Sequence, residues 1–140
     1  MPKDEITENF FELTSTPCKL ARRLLAMDDD GPVAQVIREI ATSEGFTVRV
    51  VTQSGDFRTA YSEFAPDVIT LDLLMPDVDG FEILALLRDL RCPAQIILLS
   101  GAAENYLRMA YELASVSGLR IGGVLAKPTQ IGELYQLLAQ

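Results

Sequence analysis

Val68-Ile69-Thr70-Leu71-Asp72-Leu73-Leu74-Met75-Pro76-Asp77-Val78-Asp79-Gly80 is the stretch on which the reading of this chain turns. An apolar run ends at an acid, a Met-Pro turn follows, and Asp79-Gly80 opens what reads as a helix. The pattern predicts a buried strand, a tight loop and a helix. An acid at the C-terminal end of a parallel strand stands where open α/β sheets bind their ligands. Asp72 is therefore the first candidate for a nucleophilic or metal-binding carboxylate.

Working outward, the same rhythm repeats. Arg22–Met27 reads as a first strand, followed by Asp28-Asp29-Asp30 and a helix over Pro32–Ser43 with proline in its first turn. Val33, Val36, Ile37 and Ile40 recur there at helical spacing, and Gly45 ends the run. Phe46–Thr52 reads as a second strand. Ser54 is read as the cap of a helix over Gly55–Phe64, which Pro66 breaks. Asp67–Asp72 is the third strand, and the helix from Asp79-Gly80 stops before Pro93. Gln95–Leu99 is the fourth strand, Ala102–Ser117 a helix, Arg120–Ala126 the fifth strand, and Thr129 caps a last helix through Leu138. Strands alternating with helices imply βαβ units and a single parallel sheet. Right-handed crossovers make a five-stranded, three-layer α/β sandwich the leading architecture.

The chain has 140 residues, enough for one domain with a real core. Residues 1–20 carry no strong pattern and are read as an N-terminal extension, with the domain over residues 21–140. The net charge of −8 would repel a phosphate backbone, so no direct nucleic-acid contact is expected. No apolar run approaches the roughly 20 residues of a membrane span, and no signal peptide is apparent, so the expected location is cytoplasmic. Cys18 and Cys92 have no metal or redox spacing and read as free thiols. The chain has no histidine, which removes imidazole acid–base chemistry, most zinc sites and any role as a phosphohistidine donor.

In a parallel sheet all strand C-termini share one edge. The first strand delivers Asp28, Asp29 and Asp30 there, the third Asp72, the fourth Ser100 and the fifth Lys127. Crowded carboxylates repel one another unless a cation is present. Oxygen donors without histidine or cysteine select a hard ion, Mg²⁺ above all. A lysine and a serine beside such an ion suit a phosphoryl group, whose oxygens they neutralise and hydrogen-bond. The residues thus point to a Mg²⁺-dependent phosphoryl site with a carboxylate nucleophile.

With these motifs in order, the chain resembles the receiver domain of two-component response regulators. The resemblance rests on Asp28-Asp29, Leu71-Asp72-x-x-Met75-Pro76-x-x-Asp79-Gly80, Ser100-Gly101 and Lys127-Pro128, each after an expected strand, and covers roughly residues 20–140. It implies a flavodoxin-like fold with strand order 2-1-3-4-5. It implies that Asp72 accepts a phosphoryl group from a histidine kinase or phosphotransfer protein. Asp28, Asp29, Asp72 and the backbone carbonyl of Leu74 would then bind Mg²⁺. Ser100 and Lys127 would hold the phosphoryl oxygens, and water would slowly remove the group. The surface of helix four, strand five and helix five would carry the signal to an output domain, an output protein or a second copy. The family often has an aromatic three residues before the lysine, and here that position is Val124. Gly118 to Pro128 also resembles receivers joined to EAL-type cyclic-di-GMP phosphodiesterases. Two other readings stay open: a pseudo-receiver used only for protein interaction, and a Mg²⁺-dependent aspartyl-phosphate phosphatase. Leu74 stands where a dehalogenase-like phosphatase needs a second acid.

Overall fold

The computed structural model describes residues 22–73, 80–101, 104–127 and 130–139. The expected N-terminal extension, Leu74 and the caps at Asp79 and Thr129 lie outside them. The elements are β1 (Arg23–Met27), α1 (Gly31–Ser43), β2 (Thr47–Val51), α2 (Phe57–Phe64), β3 (Val68–Asp72), α3 (Gly80–Asp89), β4 (Gln95–Ser100), α4 (Glu104–Val116), β5 (Arg120–Ala126) and α5 (Leu134–Leu138). All neighbouring strands are parallel, in the order β2-β1-β3-β4-β5. This is the expected 2-1-3-4-5 sheet, a flavodoxin-like three-layer α/β sandwich.

The central strands are buried on both faces, which is why they read as continuous apolar runs and not as alternating ones. Leu24, Leu25, Ala26 and Met27 in β1 and Ile96 to Leu99 in β4 are all fully buried. Period-two alternation divides them between two cores. Leu25, Met27, Ile69, Leu71, Ile96 and Leu98 pack on one face with α2, α3 and α4. Leu24, Ala26, Val68, Ile97 and Leu99 pack on the other with Ile37 and Ala41 of α1 and Leu134 and Leu138 of α5. Among the described residues no helix is long and apolar enough to cross a membrane.

Local chemistry sets the helix ends. Asp30 caps α1 by accepting the Val33 N–H at 3.1 Å, with Pro32 in the first turn. Ser54, read as the cap of α2, instead opens a 3₁₀ turn, Ser54–Asp56, that leads into the helix. A similar turn, Ile131–Glu133, precedes α5 and shortens it. The β4–β5 register shifts between Ile96 and Ile97, which pair with Ile121 and Gly123 and leave Gly122 as the extra residue of a bulge. A side chain at Gly122 would overlap Gln95.

Gly80 joins the site loop to α3. Its N–H donates to the Leu73 carbonyl at 3.2 Å. A Cβ there would lie 2.7 Å from Leu73 Cα and 3.0 Å from its carbonyl oxygen. Alanine would gain up to about 1 kcal/mol of helix propensity. The clash falls on backbone, which must shift at a cost of about 1–3 kcal/mol. Gly80→Ala is therefore expected to lower the urea midpoint; an unchanged or higher midpoint would refute the close approach.

Candidate functional site

The four expected chemical groups meet at the C-terminal edge of the sheet. The Asp28 N–H donates to the Val51 carbonyl at 3.1 Å, so the first acid continues the β1–β2 ladder beyond Met27. Asp72 is the last residue of β3 and pairs with Leu99. Ser100 ends β4, and its carbonyl accepts the Lys127 N–H at 3.0 Å, which ties the two strand ends together. Asp28, Asp72 and Ser100 are buried, at 0%, 2% and 1% exposure. Asp29 is exposed.

Lys127 is the hub. Its Nζ donates to both carboxylate oxygens of Asp28 at 3.1 Å and to Asp72 Oδ2 at 3.0 Å. Asp28 Oδ1 also accepts the Asp30 N–H at 2.9 Å. One ammonium thus bridges two buried carboxylates that come from different strands.

The electrostatics follow from this geometry. Burial pushes the Asp28 pKa above its ordinary 3.8, the Asp30 N–H opposes the rise, Asp72 adds to it and Lys127 opposes it. Burial alone would lower the Lys127 pKa, but hydrogen bonds to Asp72 and Asp28 and the charges of both outweigh it and hold it above 10.5. The cluster therefore has more buried negative charge than its lysine neutralises.

Carboxylate oxygens of Asp28, Asp29 and Asp72, one from each, lie within 4.8 Å of one another. The donor set is oxygen only, anionic and partly open to solvent through Asp29. It fits a hard divalent cation, and the cluster is consistent with a Mg²⁺ site. Asp28, Asp29 and Asp72 would hold the ion. The fourth expected ligand, the Leu74 carbonyl, lies outside the described residues. Asp30, which the first strand also delivers to this edge, is not in this oxygen cluster. It serves instead as helix cap and as backbone donor to Asp28, a role for which the following Gly31-Pro32 was the available signal.

Residues 24–139 match the response regulator receiver domain family. A protein-glutamate methylesterase/protein-glutamine glutaminase 5 of Myxococcus xanthus is 36% identical over 121 residues, covering 82% of this chain and 33% of that protein. The transcriptional regulatory protein GltR of Pseudomonas aeruginosa is 32% identical over 118 residues, covering 81% of this chain and 46% of that protein. The chain thus spans between a third and a half of the length of these two curated relatives. The chemotaxis protein CheY of Bacillus subtilis is 30% identical over 87 residues, covering 61% of this chain and 72% of that protein. Among solved structures, a response regulator from Colwellia psychrerythraea superposes with a TM-score of 0.73 at 30% identity, covering 85% of this chain and 94% of that one.

Removing the lysine would leave two buried carboxylates facing each other. Lys127→Met is expected to lose about 3 kcal/mol of stability near neutral pH, the usual penalty for breaking a buried ion pair. The sign of its pH dependence is fixed. Asp28 has a raised pKa in the fold, so its unfavourable contribution is absent below 3.8 and grows as pH rises through the folded value. The deficit of the variant should therefore shrink at about pH 4. In the wild type, once its carboxylate partners are ionised, Lys127 stabilises up to 10.5, and that contribution is lost as pH rises through its higher folded value. Urea titrations of both proteins across pH check this, and a deficit independent of pH would contradict it.

Proposed function

The chain belongs to the response regulator receiver domain family, and from that premise we propose that Asp72 is its phosphoacceptor. Receiver domains are signalling phosphoacceptors, so the chain is not read as an enzyme acting on a separate substrate. The observation that carries the assignment is the Lys127 ammonium, 3.0 Å from Asp72 Oδ2 and 3.1 Å from Asp28.

The chemistry balances as follows. A carboxylate oxygen of Asp72 attacks phosphorus, and the P–N bond of a phosphohistidine breaks. The electron pair stays on the imidazole nitrogen, which takes a proton from solvent. The donor histidine must come from another protein, because this chain contains none. A histidine kinase or a phosphotransfer protein is therefore the proposed partner. Lys127 shifts its hydrogen bond from the Asp72 carboxylate to a phosphoryl oxygen, and the Ser100 hydroxyl donates to another. Bound Mg²⁺ supplies further positive charge to the phosphoryl oxygens. In the reverse arm, water attacks phosphorus in line, the Asp72 carboxylate leaves, and inorganic phosphate is released.

The proposed readout is the surface of α4, β5 and α5, presented to an output domain, an output protein or a second copy. Val124 is half-buried against the core on the α4 side and is too short to act as an aromatic switch. The signal is therefore proposed to leave through the Ser100 end of β4 into α4. The curated relatives carry unlike names, a methylesterase, a transcriptional regulator and a chemotaxis protein, so membership supports the phosphoacceptor role and not one particular output. A cytoplasmic location suits a partner that donates phosphoryl groups from phosphohistidine.

Incubation with Mg²⁺ and acetyl phosphate, followed by intact-mass measurement, tests the reading. One phosphoryl adduct is expected on the wild type and none on Asp72→Asn. Wild-type protein that neither takes the adduct nor binds beryllofluoride with Mg²⁺ would favour a pure interaction module. A separate test concerns the cation. Mg²⁺ at ten times its Kd is expected to raise stability by about 1.4 kcal/mol through linkage. Asp29→Asn should abolish that gain in a thermal melt; a full gain in the variant would remove Asp29 from the ligand set.

A further inference from the structure

Thr70 is fully buried, and its hydroxyl has no hydrogen-bond partner. Among the described residues no other buried side-chain polar atom is orphaned in this way. Alternation along β3 puts Val68, Thr70 and Asp72 on one face. In register, Thr70 stands between Ala26 of β1 and Ile97 of β4. β1 runs on from Ala26 to Asp28 on the same face. Thr70 therefore lies one row beneath the acid pair, at the boundary between the charged site and the apolar core of Leu24, Ala26 and Ile37.

An orphaned hydroxyl in such a place lowers stability. Valine has the same shape and an equal liking for strands, and would avoid the loss. The fold alone gives the hydroxyl no use. The next polar side chains on this face, along β3 and past the end of β1, are the carboxylates of Asp72 and Asp28. Residues two apart on a strand are separated by about 6.7 Å, too far for a short threonine to reach Asp72 directly. One water spans such a gap with two ordinary hydrogen bonds. Ala26, the smallest side chain of its strand's apolar run, stands beside Thr70.

We propose that Thr70 is a positioning residue for the phosphoacceptor: its hydroxyl holds a bridging water that donates to the Asp72 carboxylate from the core side, while Lys127 holds that carboxylate from the sheet edge. The inference rests on Asp72 being the phosphoacceptor. Its consequence is greatest when the phosphoryl group is lost. Water oxygen then bonds to phosphorus, the bond from phosphorus to the Asp72 oxygen breaks, and the electron pair returns to the carboxylate. Charge develops on the leaving carboxylate, where a preorganised donor speeds the step.

The test is the decay of phosphoprotein made with acetyl phosphate and Mg²⁺, followed by intact mass after the donor is removed. Thr70→Val is expected to slow decay about three- to tenfold, as loss of one hydrogen bond would. Its melting temperature should stay close to that of the wild type, because the hydroxyl is lost together with the water it holds. Thr70→Ser, which keeps the hydroxyl, should restore decay to within about twofold. Should the valine variant fail to fold, Thr70→Ala against Thr70→Ser makes the same comparison. Decay unchanged by removal of the hydroxyl, or slowed equally in Thr70→Ser, overturns the inference while leaving Asp72 as phosphoacceptor. A wild type that takes no adduct sinks the phosphoacceptor reading itself.

Discussion

The Lys127 ammonium, hydrogen-bonded at 3.0–3.1 Å to carboxylates from two strands, is the contact on which the functional edge depends. Asp28 and Asp72 are both buried, and neither is tolerable there as an isolated charge. One lysine cannot neutralise two carboxylates and the nearby Asp29. The imbalance is what makes the site receptive. A divalent cation relieves the surplus negative charge, and a phosphoryl group restores a partner for the lysine once the cation is in place. Stability is spent here to hold a reactive arrangement, a trade common at sites that bind ions.

The parallel sheet makes this arrangement possible with little help from the loops. Asp28, Asp72 and Ser100 each terminate or extend a strand, so their positions are set by backbone ladders. Lys127 follows β5 directly, and its N–H bond to the Ser100 carbonyl fixes the turn that carries it. Four crossovers lie between the first and last of these residues in sequence, yet their relative placement follows from strand order and register. The floor beneath Asp28 and Asp72 is the α1–α5 core, with Thr70 at the point where the apolar packing gives way to charge.

That is why much of the site was legible beforehand. Asp28, Asp72, Ser100 and Lys127 each stand just after an apolar run, and parallel topology sends all such ends to one edge. Features of tertiary fit were not legible. Ser54 carries the capping chemistry, but the chain enters α2 through a 3₁₀ turn set by how Phe57 reaches the core. Gly122-Gly123 could have announced a bulge, since glycine inside a strand often marks one; its placement needed the β4–β5 register. Thr70 reads in sequence as an ordinary β-branched strand residue. Its isolation is a property of its neighbours, Ala26 and Ile97, which the strand itself does not reveal.

The way α4 is held bears on how phosphorylation would be read. Among the described side chains of α4, Ala110 and Ala114 are the ones buried against the sheet. By contrast, α3 buries Ile83, Leu84 and Leu87. On the outer side of α4, Met109 and Val116 are 59% and 83% exposed. The helix follows the strand end that bears Ser100, so a change in the Lys127–Ser100 turn would reach it along the chain. The fold thus pairs a ladder-defined site with a helix that follows it in the chain, and a phosphoryl group on Asp72 would act on the second by rearranging the hydrogen bonds of the first.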